Sequence, residues 1–203
     1  LMLSGLLHTI YKNIYQVVIG KMFTSADLGF FTRAKGLAQL PSSNVTNIIQ
    51  RVTFPVLSEM QNDTKRLGNN YRKLLKMSAF VIFPMMMLLC ALGEPLIKIL
   101  LTDKWLPAVP FMQVLCFSHM LYPIHSLNLN LLQVKGRSDL FLRLEIIKKV
   151  LITIVLFVSA PFGVLVMCYG TILTSIFSLI INTYYTGKII QIGFFSQVKD
   201  MLP

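Results

Sequence analysis

Acidic side chains are scarce in this chain: 8 Asp and Glu stand against 19 Lys and Arg in 203 residues. Asp27, Glu59, Asp63, Glu94, Asp103, Asp139, Glu145 and Asp200 all fall in expected loops or near the ends of apolar stretches. No carboxylate pair is expected inside an apolar span, which gives an interior the wrong sign for a proton-coupled exporter of cations. Charge of either sign is low, 13% of residues, against about a quarter in an ordinary soluble domain. Hydrophobic residues reach 55%, more core than a globule of this length has interior, so lipid is the expected solvent. Cys90, Cys116 and Cys168 show neither CxxC nor metal-ligand spacing and read as small core residues. His8, His119 and His125 share no metal-ligand spacing, and neither HExxH nor a Ser/His/Asp arrangement occurs. Catalysis gets little support, no metal site is expected and no cofactor is implied.

What the chain does have is positive charge in a pattern. Ten of its 19 Lys and Arg fall in two connecting regions: Lys65, Arg66, Arg72, Lys73 and Lys76, then Lys135, Arg137, Arg143, Lys148 and Lys149. The alternate connections hold only Lys98 and Lys104, or no charge at all at Ser159-Ala-Pro-Phe-Gly163. Charge that alternates from loop to loop is the positive-inside signature of a polytopic membrane protein. The net charge of +11 does not imply nucleic acid, because the cations sit in short inter-helix loops without interleaved exposed aromatics. Contact with anionic lipid headgroups would follow from the same charges. Two glycosylation-type triplets, Asn44-Val-Thr46 and Asn62-Asp-Thr64, read as chance matches. The first residue is not Met and the first segment is already mid-helix in character, so the chain is expected to be an internal piece of a longer protein, with no signal peptide.

The hydropathy pattern predicts an all-α, polytopic membrane bundle of about six transmembrane helices, taken as one transmembrane domain over residues 1–203. The expected spans are 1–23, 28–60, 77–101, 109–134, 140–159 and 164–190, followed by an amphipathic inner-surface connector at 191–203. Thr24-Ser-Ala-Asp27 reads as a turn with an N-cap, Pro41 and Pro55 are candidate kinks, and Ser138 or Asp139 caps the fifth helix. Trp105, the only tryptophan, fits an interfacial anchor. Placing both basic regions inside puts both ends of the chain on the cytoplasmic side.

Several spans are too polar to face lipid all round. Ser4, His8, Lys12 and Gln16 repeat every fourth residue and form one stripe. Arg33, Ser43, Asn47, Gln50 and Arg51 lie near one face of the second helix; Ser118, Tyr122, His125 and Ser126 do so on the fourth. An Arg at the membrane centre costs at least ~2.5 kcal/mol, so it should face water or a polar interior. The other reading of Lys12, Arg33 and Arg51 is that they snorkel to an interface, and for Arg33, near its helix end, the two stay evenly open. A cationic cavity lined by hydroxyls and amides suits an anionic cargo: guanidinium and ammonium groups bind phosphate oxygens, while Asn, Gln, Ser and Tyr hydrogen-bond sugar hydroxyls. The candidate contacts are Lys12, Arg51, Arg33, His8, Gln16, Asn47, Tyr122 and His125. Thr171, Ser175, Ser178 and Asn182 read instead as helix–helix contacts.

At Asp27-Leu-Gly-Phe-Phe-Thr-Arg-Ala-Lys-Gly-Leu-Ala-Gln-Leu-Pro41 the chain resembles the polysaccharide flippases of the MOP exporter superfamily, in particular Wzx-like lipopolysaccharide and exopolysaccharide exporters of the colanic-acid type. The resemblance continues through Gln50-Arg-Val-Thr-Phe-Pro-Val-Leu-Ser58, Lys104-Trp-Leu-Pro-Ala-Val-Pro110, Val134-Lys-Gly-Arg-Ser-Asp139, Glu145-Ile-Ile-Lys-Lys149 and Asn182-Thr-Tyr-Tyr-Thr-Gly187. It implies a two-lobed bundle around a central cavity, of which this stretch is most of the second lobe. It further implies a multi-pass protein of the bacterial inner membrane whose cargo is an undecaprenyl-pyrophosphate-linked oligosaccharide, with other polysaccharide-assembly proteins as possible partners. By region, Lys12, Arg33 and Arg51 match the basic cavity residues thought to hold pyrophosphate in such proteins. The alternatives are a membrane ligase or polymerase acting on the same polyprenyl-linked glycans, or a MATE-like small-molecule exporter.

Overall fold

A computed structural model describes residues 2–201, with side chains described for residue 11 and for 13–201. The described chain is helical throughout: α1 (Met2–Met22), α2 (Ser25–Glu59), α3 (Thr64–Ala91), α4 (Gly93–Leu101), α5 (Val109–Met120), α6 (Tyr122–Val134), α7 (Ser138–Ser159), α8 (Val164–Ile190) and α9 (Phe194–Met201). Short 3-10 turns at Asp103–Ala108 and Ala160–Phe162 complete it. This is an all-α membrane helix bundle.

Local chemistry sets the helix starts. Thr24 and Asp27 form a reciprocal capping box: the Asp27 N–H donates to Thr24 Oγ1 at 3.1 Å and the Thr24 N–H to Asp27 Oδ2 at 3.2 Å. Two orphan donors are thereby satisfied, each cap worth about 1 kcal/mol, and α2 begins at Ser25 rather than at residue 28. Asp63 caps α3 by accepting from the Arg66 N–H at 2.9 Å. The sequence places a polar loop from Gln61 and opens the next helix at Tyr71–Lys76; the cap starts that helix at Thr64 and brings Lys65 and Arg66 onto it as well.

Prolines set the breaks. The expected span 77–101 divides at Leu92, where Pro95 cannot continue a helix from α3. Gly93 packs closely there, where a Cβ would come 2.8 Å from the flexible Met112 Cε. The expected span 109–134 divides at Leu121, two residues before Pro123. Pro123 lacks the N–H that would bond the His119 carbonyl, and Ser42 Oγ on α2 donates to that oxygen at 2.7 Å. The neighbouring Ser118 carbonyl accepts from Ser175 Oγ on α8 at 3.1 Å. Hydroxyls from two other helices thus repair the broken ladder, as buried backbone carbonyls require. By contrast, α2 runs unbroken through Pro41 and Pro55.

The core lies in two clusters. One gathers Ile19, Phe31, Ile82, Met112, Leu156 and Met167; the other gathers Leu57, Leu67, Tyr71, Leu131, Ile190 and Met201. The second cluster marks the basic end of the bundle, where Lys135 Nζ donates to the Gln61 carbonyl at 2.6 Å and α9 lies against α3. At the opposite end Trp105 packs edge-on to Phe30, with ring centroids 5.8 Å apart. The outer surface is apolar: Phe80, Ile99, Leu142, Val158 and Phe162 are all well exposed. Helices α3 and α8 are long and apolar enough to cross a membrane, with mean hydropathy 2.0 and 2.2 over windows only 28% and 33% buried. Apolar helices that show most of their surface to the outside are suited to lipid, not to water.

Candidate functional site

Inside this apolar shell is a cavity of about 1090 Å³, bounded by α1, α2, α5, α6, α7 and α8. Helix α2 contributes Phe31, Lys35, Gln39 and Ser42 at spacings of four, four and three residues, one continuous stripe of a helix. Further along come Gln50 and Arg51, and Gln50 Nε2 donates to Ser126 Oγ on α6 at 2.5 Å. Helix α7 contributes Glu145, Lys148, Lys149 and Ile152, again one helical face. The break at Leu121 opens onto the same space, so Ser118, His119 and Tyr122 lie on its wall. Broken helices placed at a cavity are the usual pointer to a transporter's binding site.

Charge in the cavity is lopsided. Lys35, Arg51, Lys148 and Lys149 face it against one carboxylate, Glu145, among the described residues. The Lys148 ammonium is ion-paired with Glu145, and the two side chains are 11% and 29% exposed. The Lys149 ammonium sits 5.3 Å from the Tyr11 ring centroid, a cation–π contact, and makes no ion pair among the described residues. Among the described residues Arg51 has neither a hydrogen bond nor an ion pair, and it is exposed to the cavity. Ten residues separate Ser138 from Lys148, about 15 Å of helix, so the pair lies well inside α7 and not at its start. A lysine so little exposed is costly unless paired. The carboxylate and the polar cavity together offset that cost.

The wall also carries buried polar atoms that find no partner among the described residues: Tyr15 OH, His119 Nε2 and His125 Nδ1. The other His125 nitrogen lies 3.1 Å from Ser175 Oγ, which ties α6 to α8. Buried polar atoms are normally hydrogen-bonded, and exceptions point to water or a ligand. The cavity therefore offers ammonium and guanidinium donors together with hydroxyl, amide and imidazole groups still able to bond.

The structure brings Arg51, Tyr122 and His125 together on this wall. It does not bring Arg33, Gln16 or Asn47 there. Arg33 lies two residues beyond Phe31, about 200° around the helix, and its guanidinium stacks 5.5 Å from the Trp105 centroid at the bundle end. Asn47 is exposed and Gln16 is half-buried, both off the lining. The side chains of His8 and Lys12 lie outside the described residues. Sequence reasoning passed over Lys35, Gln39, Lys148, Lys149 and Glu145. Counting Lys148 and Lys149 with the basic loop cluster, and Glu145 as near a span end, hides that all three fall within the expected span 140–159; α7 starts at Ser138 and carries them about two or more turns inside it. Their helical spacing was the available signal. Thr171, Ser175 and Ser178, read as helix–helix contacts, also line the cavity, and Ser175 does both.

Known proteins give this arrangement a context. The chain is 29% identical over 159 residues to an uncharacterized membrane protein in the cps region of Klebsiella pneumoniae, covering 78% of this chain and 33% of that protein. It is 23% identical over 186 residues to the lipopolysaccharide biosynthesis protein WzxC of Escherichia coli, covering 91% of this chain and 38% of WzxC. It is 28% identical over 102 residues to the succinoglycan biosynthesis transport protein ExoT of Rhizobium meliloti, covering 50% of this chain and 21% of ExoT. The chain thus spans about a third of the length of the first curated relatives it matches. No solved structure matches it. The family model described as polysaccharide biosynthesis protein matches residues 1–110. This apolar-surfaced bundle with its cationic cavity belongs to the polysaccharide biosynthesis protein family.

Proposed function

We propose that the chain is most of the second lobe of a multi-pass flippase of the bacterial inner membrane, which moves lipid-linked oligosaccharide repeat units from the inner to the outer leaflet. The observation that carries this reading is the cavity: among the described residues four cations, one carboxylate and unpartnered buried polar atoms line it, behind a lipid-compatible exterior. Arg51, Lys148 and Lys149 supply charge-assisted donors for the phosphates of a polyprenyl-pyrophosphate carrier. Gln39, Gln50, Tyr122 and the α8 hydroxyls supply neutral partners for sugar. The names of WzxC and ExoT support the same direction. The sign of the cavity disfavours a cationic small molecule as cargo. Residues 1–203 serve as a single transmembrane unit with the basic end cytoplasmic.

A flippase changes no covalent bond, so its loss leaves completed repeat units on the inner leaflet. Loss of a ligase or polymerase leaves them on the outer leaflet instead. The test is digestion of accumulated glycolipid by an external glycosidase in spheroplasts of a strain lacking the full-length protein. Protected glycolipid is expected. Glycolipid fully digestible from outside overturns transport in favour of an enzyme.

A further inference from the structure

A second cationic site lies on the outside of the bundle, away from the cavity. Asn69, Arg72, Lys73 and Lys76 of α3 line a depression of about 310 Å³. Their spacing of three, one and three residues puts them on one helix face. Asp200 of α9 reaches the same cluster, bonding Arg72 through both carboxylate oxygens and lying 3.1 Å from Lys76 Nζ. That carboxylate is sunk, with its side chain 3% exposed, whereas Lys76 is 59% and Arg72 39% exposed. Lys73 is exposed and has no ion pair among the described residues. Three cations against one buried carboxylate leave an outward-facing excess of positive charge.

The same face continues directly into apolar surface. Met77, Phe80 and Met87 follow Lys76 on α3, exposed by 66%, 75% and 51%. From Lys76 to Met87 the helix rises about 16 Å, the depth of one leaflet's hydrocarbon. A cationic pocket above an acyl-length apolar strip has the two-part chemistry of a phospholipid, with an anionic head at the interface and chains below. We propose that this face of α3 binds an anionic glycerophospholipid, its phosphate between Lys73 and Lys76 and its chains along Met77, Phe80 and Met87. Asp200 occupies the Arg72 fork and one Lys76 donor, so the lipid phosphate takes Lys73 and the outward donors of the 59%-exposed Lys76. The site does not depend on what the cavity carries.

The test uses purified full-length protein in neutral detergent, titrated with phosphatidylglycerol or phosphatidylcholine and read by native mass spectrometry. Phosphatidylglycerol is expected to bind in preference. The double substitution Lys73→Gln and Lys76→Gln should weaken its binding by about thirtyfold, near one kcal/mol for each lysine at the surface. The charge-matched control Lys98→Gln with Lys104→Gln, at the opposite end, should leave it unchanged. Wild-type affinity in the Lys73/Lys76 variant overturns the proposal, as does equal loss in the control. Competition by inorganic phosphate at the lipid's own concentration would replace a lipid site with a soluble-anion site. Failure of the flippase test above would leave this result unaffected.

Discussion

Replacing Lys148 by Gln in the full-length protein separates two effects of one ammonium. Lys148 and Glu145 are paired on the cavity face of α7, one side chain 11% and the other 29% exposed. On the proposed function, losing the ammonium removes a charge-assisted bond to a cargo phosphate, about 1.5–3 kcal/mol, or roughly 10- to 150-fold in affinity. It also strands the Glu145 carboxylate, which then repels an incoming anion. Breaking a fully buried pair costs about 3–5 kcal/mol; with Glu145 partly exposed to the cavity, about 1–2 kcal/mol is the reasonable share. The single variant should therefore bind far more weakly than the double variant Glu145→Gln/Lys148→Gln, which recovers about 5- to 30-fold. Glu145→Gln alone frees Lys148 and should bind the anion more tightly than the unaltered protein. The assay is binding of undecaprenyl pyrophosphate to purified protein, with export scored by complementation and membrane abundance checked for each variant. Wild-type binding by Lys148→Gln, or equal losses in single and double variants, would refute the cavity's electrostatic role.

Arg51→Ala should abolish export without lowering abundance, and Arg51→Lys should keep part of it, because charge survives while the planar fork is lost. Arg33→Ala, which removes only the stacking on Trp105, should cost no more than about 1 kcal/mol of stability and leave export intact; complementation by each variant decides. The Asp200 carboxyl is held below its ordinary value, first by the hydrogen bond from Arg72 and then by Lys76. The stability this contributes is fully present above about pH 4 and is lost as pH falls through the lower folded value. The protection factors of the α9 amides, exchange divided by the intrinsic rate at each pH, should therefore be flat from pH 8 to 5, and uniformly lower in Asp200→Asn. At Gly187 a Cβ would lie 2.5 Å from the Ile192 carbonyl oxygen, so Gly187→Ala should destabilise by about 1–3 kcal/mol and speed exchange in α9 before the rest of α8. Cysteines placed at Asn69 and Ser138 should resist an impermeant thiol reagent added to intact cells, while one at Thr102 should react; the reverse pattern inverts the orientation.

The all-α membrane class was legible in composition and in the long continuous apolar runs, because a helix satisfies every backbone group within its own segment whereas a barrel strand reads as a short alternating one. The start of α2 was legible within a few residues at Thr24 and Asp27, since a capping box is written in four consecutive residues. The breaks at Leu92 and Leu121 carried a signal in Pro95 and Pro123, but hydropathy averaged across both. Proline alone does not decide, since Pro41 and Pro55 leave α2 unbroken. Whether freed carbonyls find donors, as His119 finds Ser42 and Ser118 finds Ser175, depends on which helices lie alongside.

Composition and hydropathy thus determined that the chain forms apolar helices with its cations grouped toward one end and a minority of polar residues inside. Only tertiary packing decided which polar residues share a cavity. Arg33 and Lys35 are two positions apart on the same helix, yet one stacks on Trp105 and the other faces the cavity. Lys148 looked like a loop cation and became a cavity wall, because α7 turns that face toward α1 and α8. The physical reason is that helical periodicity assigns a residue to a face, while what that face meets is set by partners distant in sequence.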